Sequence, residues 1–124
     1  MSEQWNTVGT VPILRMFDEA KAKEFYVGFL GFRIDWEHRY EPDMPLYMQA
    51  TLGEGTVVHL SEHHGDCSPG SALRIEMIGI DAFHRSLSGK HYKYARPGLE
   101  RNERERYVQV GDPFGNRLTF FERL

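Results

Sequence analysis

The stretch VPILRMFDEAKAKEFYVGFLGFRIDW, residues 11–36, changes its hydrophobic period twice, and those changes decide the fold. Residues 11–17 (VPILRMF) form a short apolar run with Pro12 near its start, where a strand tolerates a missing N–H. Asp18 follows at the N-cap position of a helix, and Glu19 places negative charge in its first turn. Over residues 19–30, Ala22, Phe25, Tyr26, Phe29 and Leu30 recur at helical spacing and draw one apolar stripe. Phe25 and Phe29 belong to that stripe and are read as core. Gly28 weakens the helix slightly, and Gly31 is placed to end it. Residues 32–36 (FRIDW) then alternate apolar and polar, which puts Trp36 on the same face as Phe32 and Ile34. The unit is strand, helix, strand.

Working outward, two more strands at 46–52 and 56–61 flank the turn Gly53-Glu54-Gly55. A polar loop, EHHGDCSPGS at 62–71, marks a hinge between halves. Beyond it the plan recurs more faintly. Residues 72–78 read as a strand, and 81–88 as a helix with Ala82, Phe83 and Leu87 inward. A short strand at 91–95 and a charged loop at 96–105 (RPGLERNERE) come next. A strand at 107–110, the tight turn DPFGN and a closing strand at 118–121 complete the chain. The pattern predicts an α+β fold built of two βαβββ modules that form a curved mixed sheet. Residues 1–124 are read as a single domain, with modules at about 8–62 and about 71–124.

Composition narrows the function. The chain has 124 residues, 40% hydrophobic and 27% charged, which are ordinary globular proportions. A net charge of −3 argues against a nucleic-acid partner, which needs a basic stripe to neutralise phosphates. One cysteine, Cys67, excludes an intramolecular disulfide and fits a reducing compartment. The opening MSEQWNTVGT has neither the basic nor the apolar region of a signal peptide, and no apolar run is long enough to span a bilayer. A soluble, cytoplasmic protein without membrane or nucleic-acid partners is expected.

Two motifs add a resemblance. FDEAKAKEFYVGFLGF, residues 17–32, resembles the D-x-x-x-A-x-x-F-Y-x-x-x-L-G-F pattern of the vicinal-oxygen-chelate (glyoxalase/bleomycin-resistance/dioxygenase) superfamily. DPFGNRLTFFE, residues 112–122, resembles that family's D-P-x-G-N closing hairpin. The resemblance spans nearly the whole chain and implies the glyoxalase/bleomycin-resistance fold. In its metal-using members, His or Glu ligands stand on the first, fourth, fifth and eighth strands. Carried over, those positions are Val11, His59, Arg74 or Ile75, and Thr119. Only His59 can ligate a metal, and a divalent ion needs three or four protein ligands. The resemblance therefore implies no metal and no cofactor, and it favours the bleomycin-resistance branch, whose members are homodimers that sequester glycopeptide antibiotics between subunits.

Within that branch, Val11-Pro12 resembles the N-terminal strand used for exchange between protomers, and GFRIDW (31–36) resembles the segment that stacks an aromatic ring on the drug. Where the branch carries Trp-Gly before its closing turn, this chain has Glu103 to Tyr107, so Arg104 and Tyr107 are the planar groups there. The implied ligand-binding set is Trp36, Tyr40, Tyr47, His59, Arg104 and Tyr107, with no catalytic residue and a planar small molecule, of bleomycin type, as partner. The alternatives are a glyoxalase- or dioxygenase-type metalloenzyme using His59 and a structural or regulatory dimer without a ligand; His59 as a catalytic base, oriented by Glu76 or Tyr47, is a separate idea. The densest group of potential ligands, His59, His63 and His64 with Glu62, Asp66 and Cys67, divides between a strand and a Gly/Pro loop. It lacks the spacing of known zinc motifs and reads as a solvated loop beside one strand histidine. Cys67 has no adjacent base in sequence. The run ERNERER (100–106) reads as a solvated face, or as a lid whose Glu100, Glu103 and Glu105 attract a cationic tail.

Overall fold

The computed structural model describes residues 4–93 and 95–124. Its first half runs β1 (Ile13–Arg15), α1 (Glu19–Lys23), β2 (Arg33–His38), β3 (Tyr47–Leu52) and β4 (Thr56–Ser61). The second runs β5 (Ala72–Glu76), α2 (Ile80–Ser88), β6 (Glu100–Arg101), β7 (Glu105–Gly111) and β8 (Arg117–Arg123). Each half makes a four-stranded mixed sheet, β1-β4-β3-β2 and β5-β8-β7-β6, in which the first strand pairs parallel to the last. This is the two-module α+β plan expected from the sequence. No helix among the described residues is long and apolar enough to cross a membrane.

Local chemistry explains the elements. Asp18 caps α1, its carboxylate accepting from the Lys21 N–H at 2.9 Å. From Glu24 to Leu30 the helix widens to π winding, a departure from the single α-helix the stripe predicts. Gly31, at φ 94°, ends it, and its N–H bonds the Tyr26 carbonyl. Phe25, Tyr26, Phe29 and Leu30 are all buried, so the wider winding still gathers them on one side. In α2 the inward residues are Ile80, Phe83 and Leu87; Ala82, expected inward, is exposed, because Gly79 in the left-handed region starts the helix one residue earlier and turns Ile80 into the core. Ile78 is exposed and lies beyond β5, which is shorter than expected.

Two further expectations change. Residues 96–105 are not all loop, since Glu100 and Arg101 pair with Tyr107 and Arg106. Of the strand expected at 91–95, Tyr94 lies outside the described residues, and the other four are not in strand.

The core lies between helices and sheets. In the first sheet Leu14, Leu60 and Met48 form one buried row, with Val58 and Ala50 beside it. In the second, Ile75, Phe120 and Val108 do the same. A buried polar network joins the halves. Tyr26 donates to Asp112 at 2.6 Å, and Asn116 donates to Asp112 at 2.8 Å and to the Arg15 carbonyl at 2.9 Å. The DPFGN turn is thereby fastened to the first module.

Candidate functional site

The opposite face of the first sheet is open, and its rows follow from pairing, because cross-strand partners share a face. One row reads Ile13, His59, Gln49, Trp36; the next reads Arg15, Ser61, Tyr47, His38. Simple alternation places Trp36 with Phe32 and Ile34, and the structure overturns this. A bulge at Asp35 shifts the register, so Ile34 pairs with Ala50 while Trp36 pairs with Gln49. The extra residue turns Trp36 out of the core row and onto the open face. It remains 43% exposed.

There Trp36 meets Tyr47, the two rings parallel within 11° at 6.0 Å, and His59 edge-on at 5.3 Å. Tyr47 bonds His59 Nδ1 at 2.6 Å, and His59 Nε2 lies 3.0 Å from Gln49 Oε1. Gln49 Nε2 donates to Asp35 at 3.0 Å, and the Thr51 hydroxyl donates to the same carboxylate oxygen. Those two donors hold the Asp35 carboxyl below its usual range. Burial lowers the His59 pKa. Burial, with the Asp66 and Cys67 charges, raises that of Tyr47. Trp36, His38, Tyr40, Tyr47, His63 and Asp66 line a groove of about 350 Å³, with the Tyr40 ring edge-on to His38 at 4.8 Å and to His63 at 6.1 Å.

The structure thus gathers four of the six sequence-derived residues, Trp36, Tyr40, Tyr47 and His59, on one face. Tyr107 and Arg104 stand on the second sheet. Tyr107 shares a groove of about 510 Å³ with Arg74, Glu105, Gln109, Arg117 and Thr119. Arg74 pairs with Glu105 at 2.6 Å and lies 4.2 Å over the Phe121 ring. Arg104 is exposed in the turn before β7, held by its backbone to Asn102 and Leu124. The charged run is partly tied down, because Glu105 is buried and paired with Arg74, and Arg106 grips Asp81 through both terminal guanidinium nitrogens. Glu76, the other partner considered for His59, pairs with Arg123 instead.

Sequence reasoning missed Gln49 and Asp35. Gln49 carries no motif, and Asp35 signals itself only as a poor strand former in the middle of a strand.

The positions carried over from metal-using relatives can now be placed. Arg74 pairs with Thr119 while Ile75 is buried beside Phe120, which settles the register left open between them. His59 pairs with Ile13 on β1, so Ile13 and not Val11 is its neighbour. Both nitrogens of His59 already face protein partners. Among the described residues, no three His, Cys, Asp or Glu side chains gather as a metal-holding group. In the loop after β4, Asp66 accepts from the Ser61 hydroxyl at 2.6 Å, and Glu62 accepts from the Leu46 N–H at 2.8 Å.

Solved structures share this architecture. A bleomycin-binding protein from the bleomycin producer Streptomyces verticillus, complexed with copper(II)-bleomycin, superposes with a TM-score of 0.70 at 25% identity, covering 94% of this chain and 97% of that one. TnmS3, an antibiotic-binding protein from Streptomyces sp. CB03234, gives 0.69 at 20% identity over 97% and 100%. A glyoxalase-related enzyme from Clostridium phytofermentans gives 0.75 at 17% identity over 99% and 100%, a likeness of fold alone. No curated protein matches the chain. Residues 4–124 match the family described as glyoxalase superfamily protein. With that match running through both sheets and both motifs, the chain belongs to the glyoxalase superfamily.

Proposed function

We propose that the chain, as one domain, is a metal-independent, cytoplasmic binding protein of the bleomycin-resistance kind. It acts as a homodimer that sequesters a planar small molecule, a glycopeptide antibiotic of bleomycin type, in crevices at the subunit interface. The observation that carries this reading is the open aromatic face of the first sheet, with Trp36 and Tyr47 parallel and the one histidine of the carried-over positions engaged at both nitrogens. Rigid aromatic faces bury area on a flat ligand while freezing few torsions. A bleomycin-binding protein among the similar structures supports the ligand class. Trp5 and Val8 support the dimer: they are 87% and 104% exposed on the segment before β1, apolar surface that a second copy would cover. Arg104 and Tyr107 belong to the crevice in this reading, from the second sheet.

Isothermal titration with metal-free and with copper(II)-loaded bleomycin tests it, beside sedimentation of the protein alone. The reading expects micromolar or tighter binding of at least one drug form by a dimer. A monomer, or no heat with either form at about 100 μM drug, removes it.

A further inference from the structure

The hydrogen-bonding role of each polar atom beside the Trp36 groove follows from the far end of one chain of side chains. An ionised carboxylate only accepts, and Asp35 accepts hydrogen bonds from Thr51 and from Gln49. Gln49 therefore turns its Nε2 to Asp35, since its Oε1 there would set acceptor against acceptor. That leaves Oε1 facing His59 Nε2 at 3.0 Å. A carbonyl oxygen cannot donate, so Nε2 carries a hydrogen. Burial disfavours the imidazolium, so Nδ1 keeps its lone pair and accepts from the Tyr47 hydroxyl at 2.6 Å. Tyr47 has a single hydroxyl hydrogen, and its bond to His59 Nδ1 occupies it. Tyr47 lines the groove, and a ligand that reaches its oxygen meets lone pairs only. Asp66, which also lines the groove, is an acceptor as well.

We propose that the Asp35–Gln49–His59–Tyr47 chain fixes the polarity of the groove, selecting flat aromatic molecules that present a hydrogen-bond donor (an N–H or a protonated amine) and rejecting those that present an acceptor to Tyr47. This rests on the binding reading above and names the ligand chemistry it accepts. Tyr47 is the discriminating contact, and His59, Gln49 and Asp35 are positioning residues acting through it. A mismatched acceptor would leave the Tyr47 oxygen and its own lone pair facing each other undonated, the arrangement that polar sites reject most strongly. A cationic donor gains further from the ring faces of Trp36 and Tyr40 and from Asp66.

The test has two arms. In ¹⁵N-labelled protein at about pH 7.5, two-bond ¹⁵N–¹H correlation reads the His59 tautomer, its signals identified by their loss in His59→Gln. A protonated Nε2 with a bare Nδ1 is expected; a proton on Nδ1 overturns the proposal. The second arm titrates two neutral bicyclic probes, indole (donor only) and quinoline (acceptor only), while following the Trp36 and Tyr47 resonances. Indole is expected to bind roughly fivefold to tenfold tighter, and Tyr47→Phe to bring the two within about twofold. Equal affinity for the unmodified protein, or a preference for quinoline, overturns the polarity and leaves the groove standing as a planar-ligand site. If neither probe moves those resonances at about 10 mM, the groove takes no flat ligand and both readings fall.

Discussion

Tyr26 and Tyr47 make the same short bond in two different places. Each phenol hydroxyl lies 2.6 Å from its partner, Asp112 for one and His59 for the other. Tyr26 is wholly buried, and everything around its acceptor is closed: Asp112 also receives Asn116 Nδ2 and the backbone N–H groups of Phe114 and Asn116. Burial and the Asp112 charge hold the Tyr26 proton firmly, its pKa well above the ordinary value. Tyr47 is half-buried, and its chain runs from an edge carboxylate to a tyrosine that lines a groove. The difference teaches that the bond itself does not decide the role. A saturated network sealed from water fixes geometry, whereas one left open at its end presents a defined hydrogen-bonding group to whatever enters.

The largest effect should come from opening the closed network. Asp112→Ala leaves the Tyr26 hydroxyl, one Asn116 Nδ2 hydrogen and two backbone N–H groups without their acceptor, and it also cuts the turn's bond to Tyr26. A loss of about 3–5 kcal/mol is expected from the urea midpoint at unchanged slope. Tyr47→Phe in the open network should cost no more than about 1 kcal/mol, because water replaces the lost partner. Similar costs for the two variants would break the distinction.

Next in size is the separation of binding from stability at Trp36. The ring keeps nearly half its surface in solvent and packs on two side chains of the open face. Trp36→Ala is expected to lower affinity for a flat ligand at least tenfold while changing unfolding free energy by about 1 kcal/mol or less. Phe25→Ala, in the closed core, should do the reverse, costing about 3–5 kcal/mol. If Trp36→Ala unfolds the protein instead, the open face is core.

These two regions were not equally legible in the sequence. The helix stripe, the Asp18 cap, the Gly31 stop and the DPFGN turn are local signals, and the structure keeps each, though it winds Glu24–Leu30 wider than an α-helix. Burial of Tyr26 follows from the stripe, but its bond to Asp112 spans most of the chain and no local pattern announces it. On the open face, simple alternation and the structure part at Asp35. Alternation counts parity, and Asp35 as a bulge inverts the parity for every residue after it in β2, carrying Trp36 off the face of Phe32 and Ile34 and onto the groove, where the family resemblance puts it. Gln49 was invisible for a related reason. Its role depends on standing between Asp35 and His59 on neighbouring strands, and such adjacency exists only once strands are registered.

The smallest expected effect is the dependence of stability on pH at His59, which asks how open the second network is. Burial lowers the His59 pKa below the free value of 6.5, so the unfolded chain takes up this proton at a higher pH than the folded one. Between those two values the unfolded state binds more protons, and stability rises with pH. Above 6.5 the ring is neutral in both states, and below the folded pKa the full penalty applies. The groups that bond the ring, Tyr47 and Gln49, are neutral, and burial is the cause of the shift. The informative quantity is the difference in melting temperature between the unmodified protein and His59→Gln. That difference should shift against the unmodified protein as pH falls through the range just below 6.5, and stay constant above it. A flat difference would mean that His59 is solvated like a surface histidine, and Tyr47 would then have its proton free to turn toward a ligand.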